Sequence, residues 1–196
     1  MSKITHGIVA AGLALAGTSA LAVDLVTNGS FEDAVVSGQW AHQLPTGWTF
    51  TGHTPVVFTN TYVGGPAGHL NQGVQLEYHG DTLSQSFSTA LGQAYTLSFM
   101  VSGYDSKMAP LGVSVGSSTF SYTGTHGVWT TYTLGFTGTG ASMTLTFTNT
   151  GTPDGSYGLY PHLDNVSVTA VPEPPAMVMM LAGMLAVGFV AARRRV

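Results

Sequence analysis

The 196-residue sequence contains no cysteine and only five lysines and arginines. Without cysteine the chain can form no disulfide, offer no thiol nucleophile and bind no metal through sulfur. Four of the five cations, Lys3, Arg193, Arg194 and Arg195, lie at the two ends, so Lys107 is the only one between them. A segment with a single cation lacks the basic surface that nucleic acids and anionic lipids require.

The central part of the chain also lacks an amphipathic helical pattern. From Val23 to Ala170 it carries eight acidic residues against one lysine, a net charge of −7. A carboxylate buried in this segment has almost no basic side chain to pair with, so another group or ion must stabilise its negative charge. The segment is long enough for one domain with a sizeable core.

Alternating apolar and polar residues, separated by Gly-rich turns, fill this central part instead. The apolar positions that share one parity are Tyr95, Leu97, Phe99 and Val101; Leu111, Val113 and Val115; Tyr132, Leu134 and Phe136; and Met143, Leu145 and Phe147. A period of two residues predicts antiparallel strands with one wet face, about eight to ten in number. We therefore predict an all-β domain, a two-sheet sandwich of jelly-roll type, over residues 23–170.

The first 22 residues have the pattern of a secretory signal peptide. Lys3 precedes an apolar run from Gly7 to Leu21, and Ala20-Leu21-Ala22 matches the Ala-x-Ala cleavage signature. We expect the mature chain to be exported and to begin at Val23.

The last segment, residues 171–196, has three parts in a fixed order. Val171-Pro172-Glu173-Pro174 is extended, because proline fixes φ and lacks an N–H donor. The apolar run Ala176–Ala192 predicts a transmembrane helix of about 25 Å, just long enough to cross the core of a bilayer. Arg193, Arg194 and Arg195 follow it and would hold that end in the cytoplasm.

The order and spacing of these three parts resemble the PEP-CTERM sorting signal of Gram-negative bacteria. The resemblance implies cleavage by an exosortase-type membrane protease in cells that make exopolysaccharide. It also implies passage through the inner membrane to the cell surface or extracellular matrix. The alternative is an ordinary single-pass anchor with a proline-rich stalk, since both would insert the same helix.

The segment Ser37–Asn71 is less regular and predicts long loops with short strands. Aromatic rings there could stack on the apolar faces of sugars, and polar side chains could bond to hydroxyl groups. We predict that Trp40, Tyr62, His42 and His69 bind a ligand. Trp48 and Trp129 are further stacking candidates, and the alternative for each large aromatic residue is a place in the core.

Two short segments carry a second resemblance. Leu25–Glu32 and His162–Val168, with Trp48 at a Gly-Trp step, resemble galactose-binding-like jelly rolls. That group includes carbohydrate-binding modules and the choice-of-anchor C surface proteins, and the segments Gly73–Glu77, Leu83–Phe87 and Gly92–Phe99 resemble the latter. The resemblance implies a structural Ca²⁺ that maps here to Glu32 and Asp164 with nearby backbone carbonyls.

Among the acidic residues, Asp164 is the one whose position in the sequence most strongly predicts a buried carboxylate. It shares the parity of Val166 and Val168, which predicts that it points toward the core side of the last strand. Ca²⁺ with oxygen ligands would compensate a carboxylate buried there. The alternative is a carboxylate at the end of the strand that accepts backbone N–H bonds.

Two patterns that suggest catalysis lack the context that catalysis needs. Gly112–Gly116 matches Gly-x-Ser-x-Gly, but Ser114 lies on the polar side of an alternating strand and no helix follows. Glu77, Asp81 and Asp105 would serve a glycoside hydrolase only if they met in space. We therefore predict a non-catalytic surface or matrix protein that binds polysaccharide. The alternatives are a polysaccharide hydrolase and a purely structural coat protein.

Overall fold

A computed structural model describes residues 23–33, 35–62, 65–104, 109–152, 159–172 and 182–187. The strands in chain order are β1 (Trp40–His42), β2 (Thr49–Thr51), β3 (Val56–Thr59), β4 (Gln72–Gln75), β5 (Thr82–Ser88), β6 (Ala94–Gly103), β7 (Ala109–Val115), β8 (Ser118–Gly124), β9 (Thr130–Thr137), β10 (Ser142–Asn149) and β11 (Pro161–Ala170). The described residues thus contain eleven strands, slightly more than the sequence predicts. The short strands β1 to β4 account for the difference, because three or four residues are too few to show a period.

The strands form two antiparallel sheets that pack face to face. The six-stranded sheet has the order β1-β3-β4-β11-β6-β9, and the five-stranded sheet has the order β2-β5-β10-β7-β8. Strands far apart in sequence are neighbours in both sheets, which is the connectivity of a jelly roll and not of a simple meander. The predicted fold class is confirmed.

The core lies between the sheets and consists of the residues that the alternation selects. In β6 the side chains of Leu97, Phe99 and Val101 are fully buried, and in β10 Leu145 and Phe147 are as well. Burying each such side chain contributes about 1.5–3 kcal/mol. The sandwich therefore has a continuous apolar interior and needs no disulfide.

The first described residues are fastened to the last strand. The Asp24 carboxylate accepts hydrogen bonds from the N–H groups of Val26, at 3.0 Å, and Val168, at 2.9 Å. The N–H of Val166 donates to the carbonyl of Gly29, and a Cβ at Gly29 would overlap the carbonyl oxygen of Val166. This close approach brings the following residues, including Glu32, beside β11.

A β-bulge in β11 changes which side chains face the core. The register shifts between Asp164, which pairs with Met100, and Ser167, which pairs with Ser98. Asn165 absorbs the extra residue in a left-handed conformation, with φ of 48°. Leu163 therefore faces the core opposite Val101, and Asp164 lies on the other face of the sheet. The predicted core-facing orientation of Asp164 is wrong, because parity cannot be carried across a bulge.

Residues 172 and 182–187 belong to a second compact unit, and residues 182–187 form a short helix. In the part of the chain that the structure describes, no helix has the length and apolar character needed to cross a membrane. The predicted signal peptide, Glu173, Pro174, most of the apolar run and Arg193–Arg195 lie outside the described residues.

Candidate functional site

The polar centre of the six-stranded sheet lies on its outer face, where β4 and β11 pair. Gln75 and His162 are opposite each other, and both are only 1% exposed. The amide nitrogen of Gln75 donates to Glu77 Oε1 at 3.3 Å, which turns the amide oxygen toward Nε2 of His162 at 2.9 Å. Since that oxygen can only accept, the proton of neutral His162 lies on Nε2.

Aromatic rings surround His162. The ring of Phe58 lies 4.5 Å from the imidazole between centroids, and the rings of Tyr62, Tyr104 and Trp129 each lie 6.2 Å from it. The Tyr62 hydroxyl also lies 3.4 Å from Gln75 Oε1. These rings cover the two buried polar side chains from outside.

The same arrangement continues across the sheet toward its β1 edge. Glu77 Oε2 lies 3.9 Å from His42 Nδ1, and the His42 ring packs edge-on against Trp40 at 5.4 Å. The Trp40 side chain is 48% exposed. We call these residues the outer-face row; its members are Trp40, His42, Glu77, Gln75, Tyr62, His162 and Tyr104.

The structure brings three of the four predicted ligand-binding residues together in this row. Trp40, His42 and Tyr62 belong to it, although they come from β1 and from the loop after β3. His69 lies farther along the loop that also carries Tyr62, where its side chain is exposed and its backbone N–H donates to Asp164. Of the further candidates, Trp48 is buried in the core, whereas Trp129 donates from Nε1 to the carbonyl of Pro66 and contacts His162.

Burial keeps the two titratable members at the centre of the row neutral. Desolvation, with a smaller effect of His126, lowers the pKa of His162 to about 3. Desolvation and the neighbouring Tyr104 raise the pKa of Tyr62 to about 12. At neutral pH the centre can offer stacking surfaces and neutral hydrogen bonds, which suits an uncharged polyhydroxyl ligand.

Two carboxylates hold the loop that lies over β11. Glu32 Oε1 accepts the N–H groups of Asn71, at 2.8 Å, and Gln72, at 2.7 Å. Asp164 accepts the N–H groups of His69, at 2.7 Å, and Asn165, at 2.6 Å. Backbone donors therefore supply the partners that the absent basic residues cannot. The alternative for Asp164 included such N–H bonds, but it placed the residue at the end of the strand, whereas Asp164 lies within β11.

The N–H groups do not fully offset the cost of burying the Asp164 carboxylate beside the charge of Glu32. Burial is the main cause that raises the pKa of Asp164 to about 7, and the charge of Glu32 adds to it. A cation would fit this charge. However, the described residues contain no group of three or more histidine or acidic side chains that could hold a metal ion. Ca²⁺ prefers six to eight oxygens, so backbone carbonyls and water would have to complete a site here.

The acids considered for hydrolysis have other roles or lie elsewhere. Asp81 is 3% exposed and accepts the N–H groups of His53 and Tyr78, each at 2.9 Å, so it closes a turn. Glu77 belongs to the outer-face row, and Asp105 lies outside the described residues. Ser114 lies within β7, before the turn to β8, so the Gly-x-Ser-x-Gly match is not a nucleophile elbow.

Sequence reasoning missed His162, Gln75 and Tyr104 as members of the row. Gln75 and His162 have the parity of wet-face residues in their strands, and such residues are ordinarily exposed. The clustering of Tyr62, Tyr104 and Tyr160 around that end of the sheet depends on pairing between β4, β11 and β6. No local sequence pattern reports that pairing.

Comparison with known proteins gives one family and several structures. The family described as "Protein of unknown function (DUF642)" matches residues 24–169. The CBM22-1 xylan-binding domain of Xyn10C from Paenibacillus barcinonensis superposes with a TM-score of 0.52 at 18% identity, over 80% of this chain and 100% of that domain. The chain therefore has the fold of a carbohydrate-binding module.

Two other structures are more distant. The CBM22-1 and GH10 modules of Clostridium thermocellum xylanase 10B, in complex with xylohexaose, give a TM-score of 0.47 at 15% identity, over 65% of this chain and 27% of that one. A CBM36 module in complex with calcium and xylotriose gives 0.43 at 18%, over 62% and 90%. No curated protein matches the sequence.

Proposed function

The chain belongs to the DUF642 family, and we propose that its sandwich domain is a non-catalytic module that binds polysaccharide. The observation that carries the proposal is the outer-face row, in which the exposed ring of Trp40 and the partly exposed rings of Tyr62 and Tyr104 lie among hydrogen-bonding groups on one sheet. The similarity of the fold to a xylan-binding domain supports it. A module of this kind holds a glycan and leaves its bonds intact.

Binding would use the exposed and the buried parts of the row differently. The exposed ring of Trp40 offers an apolar surface for stacking on a sugar ring. Glu77, whose side chain is 22% exposed, and His42 offer hydrogen bonds to hydroxyl groups at the next position. Gln75 and His162 lie beneath Tyr62 and fix its position.

We expect Trp40→Ala to weaken glycan binding about tenfold, which corresponds to about 1.4 kcal/mol. The melting temperature should hardly change, because substitutions at exposed positions usually cost within about 0.5 kcal/mol. The measurement is calorimetric titration with the glycan that the domain selects from an array. Phe120→Ala is the matched control, since Phe120 is 36% exposed and lies in the five-stranded sheet.

Three outcomes separate the alternatives. Equal affinity of the Trp40→Ala and Phe120→Ala variants would contradict a site at the row. A domain that binds no glycan on the array would favour a structural coat protein. Release of shorter sugars from the bound glycan would favour a hydrolase instead of a binding module.

We also propose that the chain is exported and sorted by a PEP-CTERM signal, with exosortase as the processing partner. The motivation is the Pro172-Glu173-Pro174 motif followed by the apolar run and three arginines. Replacing the motif with three alanines should leave the protein in the inner membrane, because the helix stays attached. Mass spectrometry of the wild-type protein from its host would contradict cleavage if the peptide Ala176–Ala192 were still present.

A structural Ca²⁺ at Glu32 and Asp164 is a further part of this proposal, supported by the burial of the Asp164 carboxylate beside the charge of Glu32. A chelator should lower the melting temperature and added Ca²⁺ should restore it. A ligand at a hundredfold excess over its Kd adds about 2.7 kcal/mol to the free energy of unfolding. Asp164→Ala should abolish the response. A melting temperature that does not change when the chelator is added would contradict a Ca²⁺ site at Glu32 and Asp164.

A further inference from the structure

A long stretch of the domain carries no charged residue. Between Lys107 and Asp154 the sequence has no lysine, arginine, aspartate or glutamate, although the segment 23–170 as a whole has a net charge of −7. This stretch contains β7, β8, β9 and β10. One side of the sandwich is therefore free of the repulsion that the rest of the domain would exert on a second copy.

The two lateral margins of the sandwich differ in the length of their edge strands. On one margin the edge strands are β1 and β2, each of three residues. On the other they are β8, with seven residues, and β9, with eight. Native proteins protect sheet edges with short strands, lysine or proline, because an unpaired edge is a template for another strand. Neither β8 nor β9 has such a device.

The outer edge of β9 is the more open of the two. β9 pairs with β6 along its whole length, and no described group bonds to the backbone on its other side. On β8 the Thr123 carbonyl accepts the Tyr132 hydroxyl at 3.3 Å. The chain after β8 then crosses to the other sheet, where the Thr125 carbonyl accepts the N–H of Gly103.

The core-facing side chains of β9 are also incompletely covered. Tyr132, Leu134 and Phe136 point toward the interior but remain partly exposed. Their partners on β6 are Phe99, Leu97 and Tyr95, all of which are buried. The sandwich thus ends with an apolar strip that one more strand would cover.

We propose that β9 pairs antiparallel with β9 of a second copy of this chain. A two-fold axis at Leu134 places Leu134 opposite its own counterpart and Tyr132 opposite Phe136 of the second copy. Opposite residues in antiparallel strands share a face, so the apolar strips meet on one side, and on the other Thr131 meets Thr137 and Thr133 meets Gly135. The six-stranded sheets of both copies then join into one.

Two features favour a second copy as the occupant. The β9 margin has no charged residue to repel a second copy, and a two-fold axis places its core-facing side chains against those of the second copy. The surface therefore matches itself, as a two-fold interface requires. Each copy has one β9 edge, so pairing closes as a dimer and does not propagate into a fibre. The inference is independent of glycan binding, because the outer-face row lies mainly on β1, β4 and β11.

The absence of cysteine permits a direct test by disulfide trapping. Opposite Cα atoms in an antiparallel pair lie about 4.5–5.5 Å apart, within the range that a disulfide spans. The full chain carrying Leu134→Cys, purified as the cell processes it, should form a covalent dimer under mild oxidation. Thr144→Cys, at an exposed position in the middle of the five-stranded sheet, is the control and should remain monomeric.

A charge test complements the trapping. Thr133→Lys should weaken dimerisation about tenfold in sedimentation equilibrium, because the two introduced lysines would be diagonal neighbours on one face of the joined sheet, about 7–8 Å apart. Thr144→Lys should leave it unchanged, and both variants should keep the glycan affinity of the parent. A parent that is monomeric at every concentration, equal effects of both lysines, or a covalent dimer with Ser121→Cys on β8 but not with Leu134→Cys would each overturn the proposal.

Discussion

His162→Gln should make the domain less sensitive to acid than the parent. Glutamine can donate from Nε2 to Gln75 Oε1 as the imidazole does, but it does not titrate. The difference in the free energy of unfolding between parent and variant should be constant above about pH 7. Below about pH 7 the variant should become more stable than the parent by about 1.4 kcal/mol for each pH unit. At about pH 4 this gain should reach roughly 3 kcal/mol in total.

The sign follows from where the proton binds. Burial lowers the pKa of His162 from its ordinary value of 6.5 to about 3. Between these two values the unfolded chain takes up a proton that the folded chain excludes. The contribution of His162 to stability is therefore fully present above pH 6.5 and is lost as the pH falls toward 3.

Asp164 acts in the opposite direction over an overlapping range. Burial raises the pKa of its carboxyl from 3.8 to about 7, so the folded chain holds a proton that the unfolded chain releases. That contribution is present at acid pH and is lost as the pH rises through about 7. The two effects partly cancel in the parent, whose stability alone would be a poor readout. Asp164 is common to both proteins, so its effect drops out of the difference.

Other titratable groups near His162 do not change this expectation. Tyr62, Tyr104 and His126 face the ring, and Glu77 reaches it only through Gln75. The pKa of Tyr62 is raised to about 12, which keeps its hydroxyl neutral throughout the range. Urea unfolding of both proteins at several pH values measures the difference. A difference that stays flat down to about pH 4 would mean that the imidazole becomes protonated inside the fold.

The sandwich itself could be predicted because it depends on local alternation. Leu97, Phe99 and Val101 on β6, and Leu145 and Phe147 on β10, are buried as their spacing predicts. A side chain in a regular strand has only two directions, and the pattern of apolar residues shows which one faces the core. The prediction therefore holds wherever a strand is long and uninterrupted.

The site was harder to predict because it depends on irregular backbone and on long-range pairing. The left-handed conformation of Asn165 turns Asp164 to the opposite face; the local signs of this bulge are the change of apolar parity between Leu163 and Val166 and the tolerance of asparagine for positive φ. Gln75 and His162 are buried because Tyr62, from the loop after β3, lies over them. Loop positions have no period, so their neighbours follow only from the assembled fold.

Trp48→Ala should destabilise the domain by roughly 3–5 kcal/mol, the usual cost of removing a large aromatic side chain from a core. Trp40 and Trp48 both lie in the irregular segment Ser37–Asn71, and from the sequence both are candidates for stacking on sugars. Trp48 is 3% exposed and packs against Phe31, at 5.4 Å, and Phe147, at 6.2 Å between ring centroids.

The indole of Trp48 also fastens the N-terminal segment, because Nε1 donates to the Asn28 carbonyl at 3.1 Å. Alanine would leave both a cavity and an unpaired carbonyl, whereas Trp48→Phe should fill most of the space and lose mainly the hydrogen bond, about 1–2 kcal/mol. Urea midpoints for these two variants and for Trp40→Ala should fall in the order Trp40→Ala, Trp48→Phe, Trp48→Ala, from most to least stable. A Trp48→Ala domain as stable as Trp40→Ala would place Trp48 on the surface. The sheets would then need another residue to close the core between Phe31 and Phe147.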